Sequence, residues 1–240
     1  MDLTIKQGDC LELMNEIPDK SIDMILCDLP YGTTKNKWDC PIDLEKLWGY
    51  ERIIKDNGAI VLFAQVPFNV VLGQSNLKLL KYEWIWHKDN GTGFLNAKKM
   101  PLKIHENIMV FYKKPHTYNP QMRTGFKPYT QKNGRQSNNY GEQTQITTTS
   151  NGERFPIDVI GFKRDKDKLH PTQKPVALLE YLIKTYTNEN ETVLDNCMGV
   201  GSTGIACINT NRNFIGYELD EKYFKIAEER IRRVNVHERE

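Results

Sequence analysis

The chain has 240 residues and a mass of 27.9 kDa, a length that favours one domain with an insertion over two equal domains. Hydrophobic residues make up 39% and charged residues 27%, which excludes a disordered chain, and no apolar run approaches the roughly twenty residues that cross a bilayer. The N-terminus has neither a basic leader nor an apolar segment of signal-peptide length, so we expect a cytoplasmic protein without a membrane partner.

Short apolar runs alternate with helical patterns along most of the chain. In chain order, the pattern predicts a strand at 3–6, a helix at 10–16, a strand at 22–27, a helix at 44–55 and strands at 59–64, 82–87 and 107–112. It then predicts a helix at 175–186, a strand at 192–195, a helix at 203–209, a strand at 214–217 and a helix at 221–234. Strands that alternate with helices are typical of α/β proteins, so we expect a doubly wound, mostly parallel sheet.

The net charge of +2 hides an uneven distribution. Residues 97–168 hold 14 Lys and Arg against 6 Asp and Glu, a net charge of +8, whereas the rest of the chain has a net charge of −6. In this basic segment cations that suit phosphates alternate with aromatic rings that suit bases, although the composition also fits a solvated linker. We interpret 1–96 and 169–240 as one domain and 97–168 as an insertion. Its candidate nucleic-acid contacts are Arg123, Lys127, Lys132 and Arg135.

The cysteines give no sign of a disulfide framework or a zinc site. There are five of them, an odd number, and none forms a Cys-x-x-Cys pair. We expect most to be small buried hydrophobic residues. His105-Glu106 begins like a metalloprotease motif, but Met109 stands where that motif requires its second histidine, so we expect no metal.

A glycine loop, Gly199-Val200-Gly201-Ser202-Thr203-Gly204, follows a predicted strand and opens a helix, which is the context of nucleotide-binding loops. The same spacing also occurs in tight packing turns. The next strand ends at Glu218, whose carboxylate is placed to accept hydrogen bonds from two ribose hydroxyls. Asp195 ends the strand before the loop and would repel a pyrophosphate. S-adenosylmethionine, which carries an ammonium and a sulfonium, therefore fits better than NAD, and an NAD-dependent oxidoreductase is the alternative.

The tetrapeptide Asp28-Leu29-Pro30-Tyr31 follows a buried strand, so its side chains should stand at the carboxyl edge of the sheet, where open α/β folds bind ligands. An ordinary strand-ending turn is the simpler interpretation. The chemistry suits another role, because Asp28 and a carbonyl of the turn can accept both hydrogens of an exocyclic base amine while Tyr31 stacks on the base. The amine lone pair is then localised for attack on a sulfonium methyl. Such a base must first be flipped out of a duplex.

The order of these motifs resembles the amino-group DNA methyltransferases of the permuted, or beta, class. The matching blocks are Gly8-Asp9-Cys10, Pro18 to Asp23, Asp28 to Gly32, His105-Glu106 with Ile108 and Phe111, Phe155 to Ile160, His170-Pro171-Thr172-Gln173-Lys174-Pro175, and the glycine loop. The chain departs from the usual motifs by Leu29 in place of a proline and Asn196-Cys197 in place of Pro-Phe. The resemblance implies a permuted, Rossmann-like methyltransferase fold with 97–168 as target-recognition region. It also implies methyl transfer from S-adenosylmethionine to N6 of adenine in double-stranded DNA.

The resemblance further implies roles for individual residues. Asp9 and Cys10 are expected near the adenine of the methyl donor, and residues 170–173 near its methionine part. The expected catalytic residues are Asp28, Pro30 and Tyr31. The expected donor-binding residues are Asp9, Cys10, Asp28, His170, Pro171, Thr172, Gln173, Asp195, Cys197, Gly199, Gly201, Ser202, Thr203, Glu218 and Leu219.

Other acceptors stay open at this point: N4 of cytosine, RNA and a protein amide. A nucleic-acid-binding module without catalysis is a further alternative. The sequence also leaves open the recognition sequence, the oligomeric state, whether monomer or homodimer, and the presence of a companion restriction enzyme.

Overall fold

The computed structural model describes residues 1–32, 41–133, 146–166, 169 and 173–237. The chain divides into two compact units: Met1–Asn119 with Asp158–Glu240, here called the main unit, and Pro120–Ile157, the small unit. The small unit is narrower than the predicted insertion at 97–168, because residues 103–111 form a strand of the main sheet. No helix among the described residues is both long enough and apolar enough to cross a membrane.

Strands and helices alternate along much of the chain. The strands are β1 Leu3–Gln7, β2 Ile22–Asp28, β3 Ile54–Ala64, β4 Leu80–Thr92, β5 Lys103–Phe111, β6 Tyr129–Asn133, β7 Ile146–Ser150, β8 Val159–Gly161, β9 Thr192–Asp195 and β10 Asn213–Glu218. The helices are α1 Cys10–Leu13, α2 Leu44–Leu47, α3 Tyr50–Ile53, α4 Phe68–Ser75, α5 Val176–Tyr186, α6 Ser202–Asn209 and α7 Glu221–His237, with 3₁₀ turns at Met14–Glu16 and Phe94–Asn96.

Among the described residues, the main unit contains an eight-stranded sheet in the order β1-β10-β9-β2-β3-β5-β4-β8. The neighbours from β1 to β3 run parallel to one another, whereas β5 is antiparallel to both β3 and β4. Strand β8 pairs in parallel with β4. The predicted mostly parallel sheet is therefore confirmed.

Burial on both faces explains why the central strands are apolar throughout. Strand β2 is buried from Ile22 to Cys27, and β3 is buried from Ala59 to Ala64. One face of the sheet packs against α5, α6 and α7, and the other packs against the short helices α1 to α4. Because helices cover both faces, polar side chains gather at the edge where the parallel strands end.

The predicted helix over 44–55 is wrong at its C-terminal end. Two short helices, α2 and α3, replace it, and β3 already begins at Ile54. Ile54 is buried because it pairs with Ile22 of β2, and Nζ of the next residue, Lys55, donates to Oδ1 of Asp23 at 2.7 Å. Pairing with a distant strand therefore overrides the local helical pattern. The sequence pattern also gives no indication of α4, β8 or the hairpin of β6 and β7.

The small unit contains that antiparallel hairpin, in which Tyr129 lies opposite Ser150. The guanidinium of Arg154 lies 4.4 Å from the ring centroid of Tyr129, and its Nη2 donates to the carbonyl of Lys127 at 2.8 Å. Nε of Arg123 donates to the carbonyl of Phe155 at 3.0 Å. These two arginines therefore hold the backbone of the small unit together.

Candidate active site

Three neighbouring parallel strands end in acidic residues at one edge of the sheet. Strand β10 ends at Glu218, β9 at Asp195 and β2 at Asp28. Because parallel strands end at the same edge, the three carboxylates come together in the wall of one cavity of about 350 Å³. The residues predicted to bind a donor and the residues predicted to act on a base therefore face the same space.

The turn after β9 forms one wall of this cavity. Gly199 and Gly201 have positive φ angles of 54° and 77°, which glycine adopts without steric cost. No atom lies within 4 Å of the place where Gly199 would carry a Cβ, whereas a Cβ on Gly204 would lie 2.7 Å from Cδ1 of Ile231. The first glycine thus leaves space at the cavity, and the last allows α6 to pack closely against α7.

Glu218 is held in a fixed orientation by backbone donors. Its Oε2 accepts the N–H of Gly199 and its Oε1 accepts the N–H of Asp220, both at 2.8 Å. Each oxygen keeps a second lone pair for a ligand. Burial raises the pKa of Glu218 above its usual value. A carboxylate oriented in this way suits two neighbouring hydroxyl groups.

Asp195 is buried at the end of β9 beside the glycine loop. Burial raises the pKa of Asp195 to about 7. The hydroxyl of Thr203, which donates to Oδ2 at 2.5 Å, and the N–H of Cys197, which donates to Oδ1 at 3.1 Å, oppose that rise. A positively charged ligand near this carboxyl would favour its ionised form.

Asp28 and Tyr31 form the opposite part of the wall. Oη of Tyr31 donates to Oδ1 of Asp28 at 2.7 Å, and the Tyr31 ring stacks on Phe68 with the ring centroids 5.1 Å apart. Leu29 is buried, and Pro30 lines the cavity. The replacement of a proline by Leu29 therefore leaves the carboxylate, the second proline and the ring of this turn at the cavity.

Asp28 also belongs to a row of alternating charges, here called the ion chain: Asp28, Lys174, Glu106 and Lys88. Nζ of Lys174 donates to Oδ2 of Asp28 and lies 3.3 Å from Oε2 of Glu106. The other oxygen of Glu106 accepts from Lys88. The side chains of Lys174 and Lys88 are only 7% and 9% exposed, so each cation depends on its carboxylate partners for stabilisation.

The contacts within the ion chain change the pKa values of Asp28, Glu106 and Lys174. Burial raises the pKa of Asp28, the ammonium of Lys174 opposes this rise, and the charge of Glu106 adds to it. Burial also disfavours the charged forms of Glu106 and Lys174. Their partners of opposite charge prevail, however, so the pKa of Glu106 is lowered and that of Lys174 is raised. Loss of the Lys174 ammonium would therefore favour protonation of Asp28.

Cysteines lie in the part of the cavity wall next to Asp9, which caps α1 by accepting the N–H of Leu11 at 2.8 Å. Cys10 and Cys197 line the cavity, and Cys27 is buried behind it. Burial raises the pKa of the Cys27 thiol to about 12, so this thiol stays protonated at neutral pH. Cys207 is buried as well, and Cys40 lies outside the described residues.

Comparison with known proteins places the chain in a family. The family described as DNA methylase matches residues 22–229. The chain belongs to the DNA methylase family. The DNA adenine methyltransferase YhdJ of Escherichia coli (strain K12) is 30% identical to the chain, over 97% of this chain and 83% of YhdJ.

Solved structures agree with this assignment. The crystal structure of the M1.HpyAVI-SAM complex is 27% identical to the methylase, with a TM-score of 0.66 over 95% of this chain and 99% of that one. The PvuII DNA methyltransferase (cytosine-N4-specific) shares the fold at 15% identity, with a TM-score of 0.68 over 98% of this chain and 91% of that one. The predicted resemblance to amino-group DNA methyltransferases is therefore confirmed.

The structure brings most of the predicted site residues of the methylase to one cavity. Those in its wall are Asp9, Cys10, Asp28, Pro30, Tyr31, Gln173, Asp195, Cys197, Gly199, Ser202, Thr203, Glu218 and Leu219. Gly201 instead faces α7, since a Cβ there would lie 3.0 Å from Cβ of Ala227. His170, Pro171, Thr172 and Arg135 lie outside the described residues. Arg123, Lys127 and Lys132 belong to the small unit.

Sequence reasoning missed the residues that contact Asp28 and Tyr31. Lys174 and Glu106 lie within motifs that support the family resemblance, and this position could have marked them as candidate site residues. The sequence around each of them, however, does not indicate that the two side chains contact each other. Lys88 lies in β4 outside any motif, and Phe68 lies in a helix that the pattern does not indicate. Within the described ranges, no group of three or more His, Cys, Asp or Glu side chains is arranged to hold a metal ion.

Proposed function

We propose that this methylase transfers a methyl group from S-adenosylmethionine to the N6 amine of an adenine flipped out of double-stranded DNA at a specific sequence. One observation carries this proposal: a single cavity is lined both by Asp195, Glu218 and residues of the glycine loop and by Asp28, Tyr31, Glu106 and Lys174. We assign the first group to the methyl donor and call it the donor half, and we assign the second group to the base and call it the base half. Membership of the DNA methylase family supports DNA as the substrate, and the likeness to a DNA adenine methyltransferase supports adenine.

The donor half fits S-adenosylmethionine, which, when bound, supplies a methyl group on a positively charged sulfur. Glu218 has lone pairs available for two ribose hydroxyls, and the open space at Gly199 allows close approach to the backbone. Asp195 offers negative charge to a cation and would repel a pyrophosphate. We assign Asp9 and Cys10 to the adenine side of the donor and Gln173 to its methionine side, as the family resemblance implies.

The base half can activate an amine. One amine hydrogen is donated to Asp28 and the other to the carbonyl of Leu29 or Pro30, so the nitrogen lone pair is localised. The carbon–nitrogen bond then forms as the carbon–sulfur bond breaks, and the methylated amine loses a proton, for which Asp28 is the acceptor in reach. The ammonium of Lys174 opposes the rise in the pKa of Asp28 that burial causes, and Phe68 supports the Tyr31 ring that stacks on the base.

Product analysis tests the proposal directly. Unmethylated duplex plasmid DNA is incubated with the enzyme and S-adenosylmethionine, digested to nucleosides and measured by mass spectrometry. We expect N6-methyladenine, and none when the protein is omitted. N4-methylcytosine without N6-methyladenine would overturn the choice of base, and methyl transfer only to RNA or protein would overturn the choice of substrate.

We further propose that exposed lysines of the small unit bind DNA phosphates. Lys127 and Lys132 are exposed, whereas Arg123 and Arg154 already donate to carbonyls of the same unit. Removing one lysine–phosphate interaction should reduce the slope of log affinity against log salt concentration by about 0.9. Lys127→Gln with Lys132→Gln should therefore flatten that slope, and Lys78→Gln, a change of another exposed lysine, should leave it unchanged.

A further inference from the structure

The connection between β4 and β5, residues 93–102, exposes large apolar side chains and is here called the hairpin tip. Phe94 is 70% exposed, Leu95 101% and Met100 58%. In monomeric proteins such clusters of exposed apolar side chains usually mark a surface that binds a partner. We therefore expect the hairpin tip to bind a partner molecule.

The hairpin tip joins the sheet at the edge where the cavity lies. Ala64, the last residue of β3, pairs with Asn107 of the antiparallel β5, so the residues before Asn107 extend past the edge where Asp28 lies. Glu106 is itself part of the cavity wall. Nζ of Lys103 donates to Oε1 of Gln65, another wall residue, at 2.5 Å. The base of the hairpin tip is thus fastened to the rim of the cavity.

Backbone hydrogen bonds hold the hairpin tip in a defined shape. The N–H of Asn96 donates to the carbonyl of Gly93 at 2.9 Å, and the N–H groups of Lys99 and Met100 donate to the carbonyl of Asn96 at 2.8 and 3.0 Å. Gly93 has a φ of 92°, which glycine adopts readily. The Leu95 side chain is therefore presented outward on an ordered turn, which reduces the entropy lost on binding.

The positive charge of the hairpin tip and its flanking residues indicates which partner binds there. Residues 91–104 contain three lysines, Lys98, Lys99 and Lys103, and no Asp or Glu. In a two-fold contact with a second copy of the chain, this patch would meet itself and bring lysines against lysines. Duplex DNA offers phosphates to the lysines and stacked bases to the apolar side chains, as in proteins that insert apolar wedges between base steps.

We propose that the hairpin tip enters the DNA duplex and that Leu95 fills the space left by the flipped base. The inference rests on the proposed function, since a flipped target is required for a vacancy in the duplex. Lys98 and Lys99 contact phosphates beside the target, and the Leu95 side chain replaces the stacking that neighbouring base pairs lose when the target leaves.

The experiment compares a paired and an unpaired target. The recognition site is first mapped by sequencing plasmid DNA methylated by the wild-type protein, so a failure of the proposed function appears at this step, before any variant is made. Two duplexes carrying the site are then used, one with the target adenine opposite thymine and one with it opposite an abasic position. Leu95→Ala should lower kcat/KM at least tenfold on the paired duplex and less than threefold on the abasic one.

A matched control comes from Leu77, which is 67% exposed and precedes β4 at the opposite edge of the sheet. Leu77→Ala should leave kcat/KM unchanged on both duplexes. With 2-aminopurine at the target position, fluorescence should rise on binding of the wild-type protein and rise less with Leu95→Ala. Equal losses on the two duplexes, no loss on either, or a changed sedimentation coefficient for Leu95→Ala would each overturn the proposal.

Discussion

In the donor half of the cavity, the carboxylates of Asp195 and Glu218 accept backbone N–H groups that are 2 to 19 residues away in the sequence. The hydroxyl of Thr203 also donates to Asp195. In the base half, Asp28 and Lys174 are 146 residues apart and meet as an ion pair. The carboxylates of the donor half are thus oriented by local contacts. The base half is a coupled network, in which a change at one charge alters the others.

The largest effect is expected from Asp28→Ala, which removes both the amine acceptor and a partner of Lys174. Methyl transfer should fall by about a thousandfold or more, in the upper part of the range for acid and base residues. Stability should fall as well, because the buried ammonium of Lys174 loses one of the two carboxylates that it contacts among the described residues. Donor affinity, measured by calorimetry on the folded variant, should change less than threefold. A large loss of donor affinity would instead assign Asp28 to donor binding.

Lys174→Met tests the coupling within the base half. Without its ammonium, the pKa of Asp28 should rise further, so the pH at which activity is half-maximal should move upward. Activity at pH 7 should fall about tenfold to a hundredfold and recover in part at higher pH. Lys174→Arg, which keeps a cation, should retain most of the wild-type profile. A uniform loss at every pH would indicate a purely structural role.

Glu218→Ala tests the donor half. If Glu218 binds the ribose as proposed, the change removes two charge-assisted hydrogen bonds, so the dissociation constant for S-adenosylmethionine should rise about tenfold to a hundredfold. At saturating donor, kcat should stay within a few-fold of the wild-type value, because the ion chain is untouched. Glu221→Ala, which alters an exposed carboxylate three residues farther along, is the control and should leave affinity unchanged.

The smallest effect concerns the pH dependence of donor binding. Because the pKa of Asp195 is raised to about 7, the Asp195 carboxyl of the donor-free protein is largely protonated at pH 6. A cationic donor favours the ionised form of this carboxyl. Binding should therefore release a proton below pH 7, and affinity should rise with pH by up to about tenfold per unit before levelling off above pH 7. Calorimetry between pH 6 and 8 measures this slope. Asp195→Asn should abolish it, and an unchanged slope would place the titrating group elsewhere.

The sequence by itself determined the course of the central strands and the positions of the glycine loop and Glu218 at their ends. Strand β9 was predicted with its observed bounds, and the glycine loop and Glu218 take their places from contiguous residues in which an apolar strand, a glycine turn and a helix follow one another. The position of the Asp28 turn could also be predicted from the sequence, since the turn follows a mostly apolar strand that is buried from Ile22 to Cys27. Local propensity and the pattern of buried residues are sufficient to predict a structure whose contacts are near in sequence.

Three features were decided only by the tertiary structure. They are the contacts of the ion chain, the residue at which α3 ends, and the boundaries of the small unit at residues 120 and 157. Ile54 becomes strand because Ile22 offers it a buried partner, and residues 103–111 leave the expected insertion because β3 and β4 both pair with them. The four charges of the ion chain stand at positions 28, 88, 106 and 174, and only the folded sheet brings them within hydrogen-bonding reach. Pairings of this kind depend on burial and geometry that a linear pattern does not encode.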